Sequence, residues 1–217
     1  MRYVQALKVE AVVEVGYDQG FTFWPTLGTG RLGPVALSGD LNDEQVGSVV
    51  QAILHWFYWD EKNEAAASIP VYLGRVAAAL ANSNDPTRPL AFGGPSFADV
   101  TSGTTMLPGC CVSLDERSEV YDVLAGESAG AWLGHSPDTG LTVTDGRVVI
   151  TQDFDDGTSA RIDAAPEAVE AALATMEADV DGFLSKLRPW AARHTPGYED
   201  EVLAAITEAV VIEVRAA

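Results

Sequence analysis

Between Leu7 and Val15 the chain alternates, with Leu7, Val9, Ala11, Val13 and Val15 on one side and Lys8, Glu10 and Glu14 on the other. A period of two is what a strand with one covered face requires, so a strand is expected over residues 3–15. Two shorter strands are expected at Phe21–Trp24, ahead of Pro25, and at Val35–Leu37, with Gly28, Gly30 and Gly33 punctuating the connection. The period then changes. Asn42 and Gln45 stand at capping-box spacing, and Val46, Val49, Val50, Ile53, Leu54 and Phe57 recur at helical intervals. A second helix is expected from Ile69–Pro70 to about Asn82, where proline suits a first turn, with Val71, Leu73, Val76, Ala77 and Leu80 inward. Residues 83–109 hold Pro86, Pro89, Pro95 and Pro108 and little periodicity, so they are expected to be a loop-rich connection of the length that marks a binding loop or lid.

Further on, Ser113 and Glu116 form another capping box, opening a short helix to about Leu124 whose apolar side is Val120, Val123 and Leu124. The clearest local signal is LTVT-DG-RVVI, residues 141–150. β-Branched runs flank Asp145-Gly146, the pair that a two-residue type I′ turn prefers, so this is a hairpin. Asp155, Asp156 and Gly157 predict a second turn into Ser159–Ile162, extending the hairpin to a meander. A long helix is expected from Pro166 to about Trp190, and a last one over roughly residues 198–214. Together these elements predict a single α+β domain over residues 1–217, with antiparallel strands and hairpins packed against about five helices.

Composition changes the picture mainly through charge. The 217 residues carry a formal charge of −19, unevenly placed: residues 1–109 hold 11 acids and 6 bases, residues 110–217 hold 21 acids and 7 bases. Such a field repels nucleic acid and anionic membrane and draws cationic partners at rates that fall with salt. Binding of nucleic acid is therefore not expected, and the 13 basic residues form no stripe. No apolar run approaches the roughly 18 residues of a membrane span, and charges interrupt the start where a signal peptide would be apolar. The two cysteines, Cys110 and Cys111, are adjacent and make a poor structural staple, which agrees with a reducing compartment. A cytoplasmic bacterial protein is the expectation; ten arginines against three lysines fit a GC-rich coding bias. Nothing in the sequence sets an oligomeric state.

Candidate chemistry lies at few places. Gly126-Glu127-Ser128-Ala129-Gly130 spells the G-x-S-x-G pattern, but a nucleophile elbow needs a strand before the serine and a helix after it, and here a helix is expected before. Ser128 is thus a weak nucleophile candidate. Cys111 follows as a second, since Cys110-Cys111 precede a helix start whose positive end lowers a thiol pKa, and His135 could act as base. Adjacent cysteines and three scattered histidines lack the paired spacings of a zinc site, and Asp153, Asp155 and Asp156 lack the distal glutamate of a calcium loop, so neither metal nor cofactor is expected. The aromatic cluster His55–Asp60 puts Trp56 and Trp59 on a different helical side from Leu54 and Phe57. With Asp60 and Glu61 beside them, these tryptophans would suit a basic, partly apolar partner, and the acids Asp153, Asp155 and Asp156 would serve the same end.

The segments Leu107–Glu119 (LPGCCVSLDERSE) and Trp132–Pro137 (WLGHSP) resemble a block that recurs in uncharacterised actinobacterial proteins, some of which resemble immunity partners of secreted toxins. The resemblance implies an interaction role and supplies no catalytic residue. The expected function is an acidic cytoplasmic protein-binding module, an immunity-type inhibitor of a basic protein being one form of it. The alternatives are a small hydrolase using Ser128 or Cys111, and a small-molecule binder around Trp56 and Trp59.

Overall fold

The computed structural model describes residues 6–16, 21–28, 33–55, 68–81 and 89–212. The strands are β1 (Leu7–Val15), β2 (Gly33–Ala36), β3 (Gly93–Asp99), β4 (Thr104–Met106), β5 (Gly130–Trp132), β6 (Asp138–Thr144), β7 (Arg147–Asp153) and β8 (Ser159–Ala164). The helices are α1 (Asp43–His55), α2 (Ile69–Ala81), α3 (Ser118–Leu124), α4 (Pro166–His194) and α5 (Glu199–Val210). One sheet runs β2-β1-β3-β4 and the other β5-β6-β7-β8, so the α+β class holds.

The chain forms two compact units, each assembled from separated stretches. The first comprises residues 1–12, 92–180 and 212–217, the second residues 13–91 and 181–211.

In the first unit the β5–β8 sheet is antiparallel throughout, and Thr144 faces Arg147 across a turn of only Asp145 and Gly146. Both turn residues have positive φ, 52° and 71°, as a type I′ turn demands. The register puts Leu141, Ile150 and Ile162 opposite one another, and all three are buried. On the other face lie Trp132, Gly140, Thr151 and Arg161. α3 packs on β5 and β6. Ahead of it, a single 3₁₀ turn at Leu114–Arg117 starts from the expected capping box, where the Ser113 N–H donates to a Glu116 carboxylate oxygen at 2.7 Å.

The second unit is held by its helices. α5 packs against α1 and α2, and the Asn42–Gln45 box is reciprocal, with both backbone-to-side-chain bonds at 2.9 Å. Val46, Val49, Val50, Ile53 and Leu54 of α1 are buried as their spacing requires. Trp190 is fully buried and meets Trp24 edge-on at 5.6 Å, and its indole N–H donates to the Asp43 carbonyl. Asp43 also accepts bonds from Arg193 Nη2 at 2.7 Å and His194 Nε2 at 3.2 Å. Those bonds, that from His194 first and that from Arg193 second, hold its carboxyl below the usual range. A depressed carboxyl stabilises the fold above its unfolded pKa, about 3.9, and the contribution is lost as pH falls through the folded value. Asp43→Asn is therefore expected to lower stability near neutrality by about 0.5 kcal/mol, because the pair is solvent-screened. The gap from wild type should close below about pH 4, and urea titrations at both pH values measure it.

Several expectations need correction. Phe21–Trp24 is no strand but a bend that gathers aromatic rings: Phe21 meets Trp24 at 4.6 Å, Trp24 meets Tyr72 at 5.8 Å, and the Trp24 indole N–H bonds the Gly47 carbonyl. Ring packing against α1 and α2 has displaced ladder pairing. Residues 83–109 are not simply a loop-rich connection, since β3 and β4 lie there, paired Phe97 to Met106 and Asp99 to Thr104. The glycines and proline of Gly93-Gly94-Pro95 hide the strand because it is buried on both sides at its start and so carries no alternation. On α2, Val71 is exposed and Tyr72 takes the inward place. β5 was unexpected, and α4 continues past Trp190 to His194. Among the described residues no helix is long and apolar enough to cross a membrane.

Candidate functional site

Ser128 is exposed, and its hydroxyl donates to the Gly130 carbonyl at 2.9 Å. A helix, α3, precedes it and a strand, β5, follows, the reverse of a nucleophile elbow. The hydroxyl serves a local turn. His194, the imidazole that could complete a serine triad by chain order, is bonded to Asp43.

The thiols present a different picture. Residues 107–113 and 133–139 run against each other and are tied by backbone bonds: Gly109 N–H to the Leu133 carbonyl at 2.8 Å, Cys110 N–H to the His135 carbonyl at 2.6 Å, and His135 N–H back to the Cys110 carbonyl at 3.2 Å. The approach is so close because Gly109 and Gly134 have no side chains. A Cβ on Gly134 would lie 2.5 Å from the Gly109 carbonyl carbon. Beneath the loops, the buried Gln152 amide donates to the Leu107 carbonyl and, at 2.8 Å, to the Thr139 hydroxyl, which itself donates to Leu107 at 3.1 Å. A satisfied buried polar network of this kind fixes the loop that follows.

This frame brings Cys110, Cys111 and His135 together. The two sulfurs are 3.2 Å apart, and the Cys110 sulfur lies 3.5 Å from both ring nitrogens of His135. One donor atom from each residue falls within a set no more than 4.8 Å across. It is Cys110, not the expected Cys111, that faces the imidazole directly. Both cysteines are thiols; Cys110 is half-buried and Cys111 exposed. Cys111 adopts a left-handed backbone with φ of 66°, and Ser136 one of 53°. For residues other than glycine such conformations cost about 1–3 kcal/mol each and concentrate at functional sites. The Trp132 ring lies against His135, with centroids 6.2 Å apart, and donates its indole N–H to Asp138 at 3.2 Å.

Beside this cluster the sheet ends in acids. Asp138 faces Asp153 across β6 and β7, and Phe154, Asp155 and Asp156 continue into the β7–β8 turn, all of them exposed. The turn is ordered: Asp156 accepts from the Thr158 N–H at 2.9 Å and from its hydroxyl at 2.6 Å. Those bonds, the hydroxyl's first, hold its carboxyl below the usual range, so it carries charge down to acidic pH. Arg161, on the same sheet face as Trp132, is neutralised by Asp163 at 2.7 Å. Trp132 is 45% exposed and Phe154 40%, which leaves two large apolar side chains standing among carboxylates.

Sequence reading named Asp153, Asp155 and Asp156 but missed Trp132 and Asp138, which strand register sets beside Asp153, and the exposed Phe154 next to it in sequence. Cys110 and His135 are 25 residues apart, and only the bridge between the two loops unites them. Trp56, Trp59, Asp60 and Glu61 lie outside the described residues. Comparison with family models, with curated proteins and with solved structures found no match.

Proposed function

We propose that this protein is an acidic binding module whose partner is a basic protein, and that the partner docks on the β5–β8 sheet of the first unit. The observation that carries this reading is the exposed Trp132 bonded to Asp138, which faces Asp153, with exposed Phe154, Asp155 and Asp156 in the adjoining turn. Large aromatic side chains are the usual energetic anchors of a protein interface, and surrounding charges select the partner and speed encounter. The negative charge of residues 110–217 has the sign that draws a cationic surface. An inhibitor that covers the cationic substrate cleft of a toxin is one form of such a module. Ser128 gives a hydrolase no support, since its hydroxyl is committed to a turn.

The test begins with cross-linking in a lysate to identify a partner, followed by binding measurements with that partner purified. Asp153→Asn/Asp155→Asn/Asp156→Asn is expected to slow association about tenfold at low salt and flatten its salt dependence. Trp132→Ala should mainly speed dissociation, by about 30-fold if it is an anchor worth 2 kcal/mol. The reading fails if no basic protein is retained at low or physiological salt, or if the partner binds both variants as it binds wild type.

A further inference from the structure

The geometry points to a zinc-binding site formed by Cys110, Cys111 and His135. Nitrogen and thiolate ligands are the set that zinc selects, and three protein ligands with one open position is a recognised arrangement. A tetrahedral zinc with bonds of about 2.3 Å to sulfur and 2.0–2.1 Å to nitrogen separates sulfur from nitrogen by about 3.5 Å and sulfur from sulfur by about 3.8 Å. The Cys110 sulfur lies 3.5 Å from both imidazole nitrogens, over the ring face and in line with neither lone pair, so metal binding requires the His135 ring to turn one nitrogen toward the ion and the sulfurs, now 3.2 Å apart, to open by about 0.6 Å.

The two sulfurs move by side-chain rotation alone, because the loop backbone is held by the Gly109, Cys110 and His135 bonds and by Gln152 beneath it. The left-handed backbone of Cys111 is the second sign of a built site. Consecutive extended residues send their side chains to opposite faces; here the φ of 66° accompanies two sulfurs that meet on one side. On binding, each thiol gives its proton to solvent and each thiolate donates an electron pair to the metal, with imidazole as the neutral third donor. The exposed fourth position is open to water or to a donor from a bound molecule.

The experiment uses the full chain, kept reduced with a phosphine, and titrates zinc by calorimetry and cobalt(II) by absorbance. The expected result is one ion per chain, with a sulfur-to-cobalt charge-transfer band and the visible bands of a tetrahedral ion. Cys110→Ser and His135→Ala should each weaken binding by at least the 10–100-fold that loss of an outer-sphere partner costs. Cys111→Gly separates ligand loss from misfolding. Glycine accepts the left-handed backbone, so this variant should be as stable as wild type or more so, yet lose the charge-transfer band in proportion to its missing sulfur. The site is overturned if reduced wild-type chain takes up no zinc, or if Cys111→Gly and His135→Ala bind as tightly as wild type.

Discussion

Replacement of Arg117 by alanine is expected to lower stability by about 3 kcal/mol, the low end of the cost of removing one partner from a buried ion pair, because the Glu177 carboxylate keeps some solvent contact. The Arg117 side chain is wholly buried and forks onto Glu177 of α4, Nε at 2.9 Å from one carboxylate oxygen and Nη2 at 3.0 Å from the other, while Nη1 caps the Leu114 carbonyl at 2.8 Å. The Tyr121 hydroxyl donates to the same carboxylate at 2.9 Å. Burial, and then the charge of Glu177, push that phenol above its ordinary pKa, so it stays a donor across the working range. One guanidinium thus fastens the segment after the cysteine loop to the long helix.

Alanine would leave the partly exposed Glu177 carboxylate without its guanidinium, orphan the Leu114 carbonyl and open a cavity. For a chain of this size the melting temperature should fall by roughly 6–12 °C. Arg117→Lys should recover only part, because an ammonium cannot reproduce the fork. The double variant Arg117→Met/Glu177→Met should also recover only part, by refilling the cavity and removing the unpaired carboxylate, because the Leu114 carbonyl and the Tyr121 hydroxyl still lose their partners. If Arg117→Ala melts within about 2 °C of wild type, roughly 1 kcal/mol, the fork does not hold this unit together.

The second large effect is expected at Gly134. Its φ of 96° already excludes ordinary side chains, and a Cβ there would sit 2.5 Å from the backbone carbon and oxygen of Gly109, far inside van der Waals contact. Backbone cannot step aside as a flexible side chain can. Gly134→Ala should therefore part the two loops, break the Cys110–His135 bridge and cost about 3 kcal/mol or more. Gly126→Ala is the internal control. That residue has a similar positive φ, 77°, but open space around it, so its penalty should be only the 1–2 kcal/mol of the backbone conformation. Differential scanning calorimetry of the two variants, with the rate of thiol alkylation as a local probe, measures the difference. Equal losses in both would mean that the close approach of the loops contributes nothing.

How much of this was legible in advance depends on the range of the interactions involved. The Asp145-Gly146 hairpin, both capping boxes and the amphipathic face of α1 were readable because each is decided within a few residues: by turn dihedrals, by side chains reaching one helical turn, and by a periodic stripe. β3 escaped because a strand buried on both sides shows no alternation, and Phe21–Trp24 misled because its strand-like composition is spent on ring packing. The interleaved division into two units left no mark in composition, since each unit is built from distant stretches.

At the candidate site the division is sharper. The sequence alone determined the charge, the acids of the β7–β8 turn and the presence of two adjacent thiols. It could not associate His135 with Cys110, Trp132 with Asp138, or Arg117 with Glu177, because these pairings depend on which loops and strands lie side by side. Local geometry is a property of neighbouring residues, whereas the meeting of distant donors is decided by the packing of the whole unit. Tertiary structure alone could turn two cysteines and a histidine into a set of ligands.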